Sequence, residues 1–110
     1  MRILRLAEMY LIRAESNFRL GTTTGDIPLK DINRIRARAG LSPLTTATLD
    51  LAAILKERKL ELAFEGHLLH DIKRLQGNVG SLPWNSPKLV FPIPERETIA
   101  NPNLVQNEGY

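Results

Sequence analysis

The chain has 110 residues, of which 43% are hydrophobic and 25% are charged, values typical of one globular domain. Its formal net charge is +3, but fifteen basic residues are interspersed with twelve acidic ones and form no run, so nucleic acid is not an expected partner. The absence of cysteine excludes disulfides, thiolate metal ligands and cysteine nucleophiles. No apolar run approaches the roughly 20 residues of a membrane span.

Residues 3–20 are predicted to form the first helix, because apolar side chains recur at steps of three and four residues along one face. Gly21 is suited to a left-handed cap that ends this helix. Glu15 and Arg19 are spaced to form an outward i,i+4 ion pair. The apolar stripe consists of Leu4, Ala7, Leu11, Ala14 and Phe18.

A second helix is predicted over residues 27–39, with Asp26 as its N-cap and Pro28 in its first turn. Its apolar face consists of Leu29, Ile32, Ile35 and Ala39. The short polar loop before it predicts that the first two helices pack antiparallel.

A third helix is expected over residues 48–65 and a fourth over 67–75, with a break at Gly66. Four prolines and two glycines between residues 77 and 94 then prevent a long helix, so residues 76–110 are predicted to be irregular. Within that segment, Leu89–Phe91 is compatible with a short edge strand, and residues 94–99 with one helical turn.

Few residues indicate catalysis or metal binding. His67, His70 and Asp71 share a helix face, which favours an exposed polar surface over a metal site, because three such local ligands seldom complete one. No nucleophile is marked, and the glycines lack the strand–loop–helix context of a phosphate loop. Neither a catalytic residue nor a cofactor is therefore expected.

Two stripes of like charge run along the helices at four-residue spacing, and like charges at that spacing are mildly destabilising unless solvent or opposite charge compensates them. Glu57, Glu61 and Glu65 form one stripe; Lys30, Arg34 and Arg38 form the other. We predict a structural charge network in which arginines meet these glutamates between helices, so that Glu61→Ala or Glu65→Ala lowers the stability. Its members are Arg36, Arg38, Glu57, Arg58, Glu61 and Glu65.

Trp84 is the sole tryptophan and lies in a proline-containing loop. A loop tryptophan can stack on a sugar or on a partner surface, or it can cover the edge of the core. Trp84 is the one candidate ligand-binding residue, and the sequence leaves both interpretations open.

Four segments together resemble, in order and spacing, the C-terminal part of the SusD/RagB family, and they cover nearly the whole chain. The first two are the helix containing Ala7-Glu8 and Arg13-Ala14-Glu15, and residues 32–41, Ile-Asn-Arg-Ile-Arg-Ala-Arg-Ala-Gly-Leu. The third runs from Glu57-Arg58 through Glu61-Leu-Ala-Phe-Glu-Gly66 to Asp71-Ile-Lys-Arg74. The fourth comprises Phe91-Pro-Ile-Pro94, Glu97, Asn101-Pro102, Gln106-Asn107 and Gly109-Tyr110.

The resemblance implies a mainly α fold of tetratricopeptide-like antiparallel helix hairpins, followed by the proline-rich irregular segment, with residues 1–110 as the C-terminal part of a SusD-like domain. SusD-like proteins are lipoproteins on the surface of the outer membrane of Bacteroidetes. They are not enzymes; they bind nutrients, usually oligo- or polysaccharides, and pass them to a TonB-dependent, SusC-like transporter. The resemblance also implies that Tyr110 is the natural C-terminus, and that the lipid anchor and much of the ligand site lie upstream of this region.

The sequence departs from the family at Leu68 and Leu69, where an arginine and an aromatic residue are usual, and at Glu108, where proline is usual. The first departure removes one partner expected for Glu65. The alternative function is a tetratricopeptide-like protein-interaction module without a glycan role; a glycoside hydrolase would need facing carboxylates that the sequence does not mark. Apolar helix faces left open in this chain are expected to cause self-association.

Overall fold

The computed structural model describes residues 5–110 and confirms the predicted mainly α fold. Within that range the chain forms five α-helices, one two-stranded antiparallel hairpin, and short 3-10 turns at Thr46–Thr48 and Pro87–Leu89. The helices are α1 (Leu6–Leu20), α2 (Pro28–Arg38), α3 (Leu51–Glu61), α4 (His67–Arg74) and α5 (Glu95–Ala100); the strands are β1 (Asn78–Val79) and β2 (Leu82–Pro83). No helix within residues 5–110 combines the length and apolar character needed to cross a membrane.

The chain divides into an N-terminal unit, Met1–Glu65, and a C-terminal unit, Gly66–Tyr110. The N-terminal unit has a small buried core to which α1, α2 and α3 all contribute: Leu11, Ala14, Ile32, Ile35, Ile54 and Leu62. The predicted stripes supply four of these six residues, whereas Phe18 and Ala39 from the same stripes are exposed. Residue 3 and Leu4, assigned to the first helix from sequence, lie outside the described residues.

Helices α1 and α2 form the predicted antiparallel hairpin. Arg13 of α1 contacts Asp31 at the start of α2, and Tyr10, one turn earlier in α1, contacts Arg34, one turn later in α2. Gly21 ends α1 in the left-handed conformation, with φ +65°. The opposite order of the paired residues on the two helices establishes their opposite directions.

The predicted Asp26 N-cap of α2 is wrong. The N-cap residue is Ile27, and the Asp26 carboxylate accepts the Ile27 backbone N–H at 2.9 Å instead of a helical amide. The loop is fixed from α1 by Asn17, which is only 4% exposed. Its amide donates to the carbonyls of Thr24 and Asp26, both at 3.0 Å, and its oxygen accepts from the Thr24 N–H.

The third helix is shorter than the predicted 48–65. Asp50 caps it by accepting the Ala53 N–H at 2.6 Å, so α3 begins at Leu51 after a separate 3-10 turn. It ends at Glu61, since Phe64 and Gly66 both adopt positive φ, +64° and +82°. A helix cannot continue through left-handed residues, and the break predicted at Gly66 therefore extends back into the turn before it.

The C-terminal unit contains α4, the β1–β2 hairpin and α5, whose range, Glu95–Ala100, accounts for the helical turn predicted near residues 94–99. The strand predicted at Leu89–Phe91 is wrong. Pro87 begins a 3-10 turn that includes Leu89. The carbonyls of Val90 and Phe91 accept hydrogen bonds from the side chains of Tyr110 and Asn107, so these carbonyls make no strand ladder.

Candidate binding surface

The predicted charge stripe on α3 lies where α1, α2 and α3 meet. The Glu61 side chain is 9% exposed, and both of its carboxylate oxygens accept hydrogen bonds from Arg38 at 2.6 Å. One of these oxygens also accepts a hydrogen bond from Arg5 at the N-cap of α1. Arg5 also pairs with Glu65 and donates to the Glu61 carbonyl at 3.3 Å. One carboxylate is thus held by arginines from two other segments, which fixes the end of α3 against both helices of the hairpin.

The remaining members of the predicted network make separate pairs. Arg36 of α2 pairs with Glu57 of α3, and both side chains are largely buried. Arg58 lies 3.5 Å from Glu8 of α1. Arginine therefore faces each glutamate of the stripe, but Arg5 and Glu8, which the sequence analysis did not place in the network, complete it.

One further charged contact organises the hairpin and was not predicted. Arg13 binds Asp31 through two hydrogen bonds of 2.8 and 2.6 Å, and Asp31 is 1% exposed. The hydrogen bond to Asp31 raises the pKa of the Arg13 guanidinium above its usual value. The pair could have been anticipated from the sequence, because Asp31 adjoins Ile32 on the side of α2 that faces the core, and a buried charge requires a partner.

The rim of the hairpin loop is also electrostatically ordered. The backbone N–H of Ile27 lowers the pKa of the Asp26 carboxyl below its usual value, and Lys30 lies 3.4 Å from the same carboxylate. On α1, Arg19 donates to Glu15 at 2.8 Å, the predicted i,i+4 pair, but Glu15 is buried rather than outward. The carboxylates of Asp26 and Glu15 therefore bind donors that are close in sequence, which favours a structural role over acid–base catalysis.

Several large apolar side chains stay open to solvent in the N-terminal unit. On α1, Leu6, Met9, Ile12 and Leu20 are exposed although the opposite side of the same helix supplies the core. Phe64 is completely exposed in the turn after α3, on backbone of positive φ. A helix that is apolar on both sides is usually covered on both sides, so this part of the surface has the character of a contact surface.

In the C-terminal unit, the last residues bind an earlier stretch of the same unit through their side chains. Gln106 accepts the Ile93 N–H at 2.7 Å and donates to the Ile93 carbonyl at 2.9 Å, and the Tyr110 hydroxyl donates to the Val90 carbonyl at 2.9 Å. Lys88 lies 4.2 Å from the centre of the Tyr110 ring and donates to the Gly109 carbonyl. We call residues 106–110 bound to residues 87–93 the C-terminal clasp.

The clasp explains the glycine before the last residue. Gly109 has φ +92°, and a Cβ built there would lie 3.1 Å from the Cβ of Pro87. The tail was identified from sequence by its motif residues, and these same residues make the bonds of the clasp.

The other candidate residues lie in the C-terminal unit. Trp84 follows β2 and is 37% exposed. Asp71 and Arg74 form an i,i+3 pair at 2.8 Å on α4, which also carries His67 and His70. Among the residues described, no group of three or more His, Cys, Asp or Glu side chains could hold a metal ion.

Comparison with known proteins gives a consistent result. The sequence profile of the SusD family matches residues 1–82 of this chain. Two proteins of Formosa agariphila, SusD-like protein P38 and SusD-like protein P2, are 30% and 31% identical to this chain over 98% and 97% of its length. The chain spans about a quarter of the length of these relatives, 24% and 25%.

Solved structures agree with the sequence relatives. A protein of Bacteroides vulgatus described as a provisional sugar binding protein superposes with a TM-score of 0.78 at 33% identity, over 98% of this chain and 28% of that one. A SusD superfamily protein of the same organism gives a TM-score of 0.74 at 34% identity, over 98% and 27%. Both the family match and the fold identify this chain as a member of the SusD family.

Proposed function

We propose that this chain is part of a SusD-like cell-surface protein that captures an oligo- or polysaccharide and delivers it to a TonB-dependent transporter of the outer membrane. The observation that carries the proposal is the match to the SusD family over residues 1–82. The name of the Bacteroides vulgatus neighbour, which refers to sugar binding, supports the same class of ligand. The outer-membrane lipoprotein location and the SusC-like partner are parts of this proposal.

The charge arrangement supports binding rather than catalysis. Glycoside hydrolysis uses two carboxyl groups across a cleft, one of which must hold a proton near neutral pH. Glu57, Glu61 and Asp31 are each engaged by an arginine, an arrangement that suits a structural role. We therefore propose that the chain is not an enzyme.

Affinity gel electrophoresis tests the proposal, with neutral and acidic polysaccharides embedded in separate gels and an unrelated helical protein as reference. Selective retardation of this chain by one polysaccharide is expected, with no release of reducing ends from it. Migration unchanged by every polysaccharide would overturn glycan binding by this chain, and release of reducing ends would overturn the non-enzymatic assignment.

Transporter partnership needs its own measurement. A tagged copy of the chain is expected to co-purify a SusC-like transporter from detergent-solubilised outer membranes of a Bacteroides vulgatus strain that expresses it in place of the related protein. Recovery of the chain without a transporter would contradict that part of the proposal.

A second candidate function, a helical protein-interaction module, is favoured by the exposed apolar side chains of α1 and by Phe64. If these side chains form a contact surface in the isolated chain, sedimentation velocity should detect dimers or larger species, and a dye specific for apolar surface should bind. A strictly monomeric profile without dye binding would contradict it.

A further inference from the structure

The basic stripe of α2 is only partly compensated by carboxylates. Lys30 pairs with Asp26 at 3.4 Å, and Arg38 pairs with Glu61 at 2.6 Å. Arg34, between them at the same four-residue spacing, has no carboxylate within ion-pair distance among residues 5–110. Two of the three cations are thus neutralised, and the middle one is not.

Arg34 is instead held by an aromatic ring. Its guanidinium carbon lies 4.8 Å from the centre of the Tyr10 ring, and its Nη1 donates to the Tyr10 hydroxyl at 2.6 Å. Arg34 is exposed, so the other donors of the guanidinium can reach a ligand. Contact with the ring orders the side chain in advance, which reduces the entropy lost when the guanidinium binds an anion.

The second cation beside the ring does not offer the same chemistry. Arg13 lies 5.4 Å from the centre of the Tyr10 ring, but its guanidinium is engaged by Asp31 through two hydrogen bonds. Asp31 compensates that charge. Of the two guanidinium groups beside the Tyr10 ring, that of Arg34 is therefore the one whose positive charge is not compensated.

We propose that Tyr10 and Arg34 form a binding site for an anionic group of an acidic saccharide, a carboxylate or a sulfate ester on the sugar. The planar guanidinium fork binds such oxygens through paired hydrogen bonds. The inference rests on the proposed glycan-binding function and adds to it the charge class of the ligand and two of its contacts.

The test is affinity electrophoresis of the chain in gels containing polygalacturonate, dextran sulfate or neutral dextran, at low and moderate salt. Arg34→Gln is expected to weaken binding to an acidic polymer about tenfold, the effect of losing one charge-assisted hydrogen bond. Lys59→Gln, which removes an equal charge from an exposed position on α3, is the matched control and should change binding less than twofold. Tyr10→Leu should weaken binding as Arg34→Gln does.

The outcomes separate this inference from the function on which it rests. Retardation by dextran alone would overturn the acidic-ligand site and leave glycan binding intact. Equal losses for Arg34→Gln and Lys59→Gln would also overturn the site, because they indicate a diffuse electrostatic attraction. Unchanged migration in all three gels would contradict both proposals. Because Arg34 is exposed, circular dichroism of the variant should match that of the parent, so a binding loss is not a folding loss.

Discussion

The N-terminal and C-terminal units are each stabilised internally by a different kind of interaction. The N-terminal unit has a buried core formed by three helices, with arginine–carboxylate pairs around it. In the C-terminal unit, no residue from 66 to 110 is buried, and its tail is fixed by side chains that bind backbone groups. Burial of a large apolar side chain contributes about 1.5–3 kcal/mol, whereas a hydrogen bond contributes about 1 kcal/mol net.

This difference shows that a segment of the chain can have a defined conformation without contributing much to the free energy of folding. Hydrogen bonds can specify a single path for the residues of the C-terminal clasp without supplying much free energy. We therefore expect amide protons of the C-terminal unit to exchange through local opening while those of α1 and α2 require a larger opening of the N-terminal unit.

The largest effect is expected in the core. Ile32→Ala should lower the free energy of unfolding by about 3 kcal/mol, because it removes a completely buried side chain and leaves a cavity. Urea denaturation monitored by circular dichroism measures the change. Ile99→Ala, at an exposed position of the C-terminal unit, is the control and should stay within about 0.5 kcal/mol of the parent. Equal losses would abolish the proposed difference between the units.

Charge removal at the end of α3 should have the next largest effect. Glu61→Ala should lower the stability by about 2 kcal/mol, because it leaves Arg38 and Arg5 without the carboxylate they share. Glu65→Ala removes one partner of Arg5 at a more exposed site and should lose less than about 1 kcal/mol. Urea midpoints that do not move for either variant would show that the network adds no stability.

The C-terminal clasp should respond locally. Gln106→Ala removes both hydrogen bonds to Ile93, so the Ile93 amide should exchange about five- to tenfold faster, equivalent to about 1 kcal/mol. Amide exchange followed by NMR measures this, with Asn103→Ala, an exposed position in the same segment, as control. Faster exchange spread over α1 and α2 as well would mean that the clasp is not a local element.

The smallest effect is expected at Phe64, and its sign is opposite. Phe64→Gly should raise the stability by about 0.5 kcal/mol, because glycine adopts positive φ readily and the exposed ring has little contact to lose. Phe64→Ala keeps a Cβ at the same backbone position and should give no such gain. A clear loss of stability in the glycine variant, measured by thermal unfolding, would show that the ring is packed in solution.

Much of the helical framework could be predicted because it depends on local pattern. Apolar spacing located α1 and α2, and glycine's tolerance of positive φ located the end of α1 at Gly21 and the break at Gly66. The errors came from polar groups that bind partners other than the expected ones. Asp26 has a residue type suited to an N-cap, but the N-cap position is occupied by the next residue, Ile27. Val90 and Phe91 have residue types suited to a strand, but their carbonyls accept hydrogen bonds from side chains distant in sequence.

The candidate site was predictable in residue type but not in pairing. Four-residue spacing marked the glutamates of α3 and the cations of α2, since like charges on one face require compensation. It could not show that Arg5 would share Glu61 with Arg38, that Arg58 would face Glu8, or that Arg34 would rest on Tyr10. Those pairings depend on how three helices approach one another.

The sequence by itself determined the helices of the hairpin, the break after α3, and the family, because these depend on spacing and on motifs in a fixed order. Only the tertiary structure decided which charges are neutralised, which apolar side chains stay open, and how the tail is bound. The physical reason is range: helix periodicity and capping act over a few residues, whereas an ion pair, a buried contact or a side-chain bond to a distant carbonyl exists only after the chain has brought remote segments together.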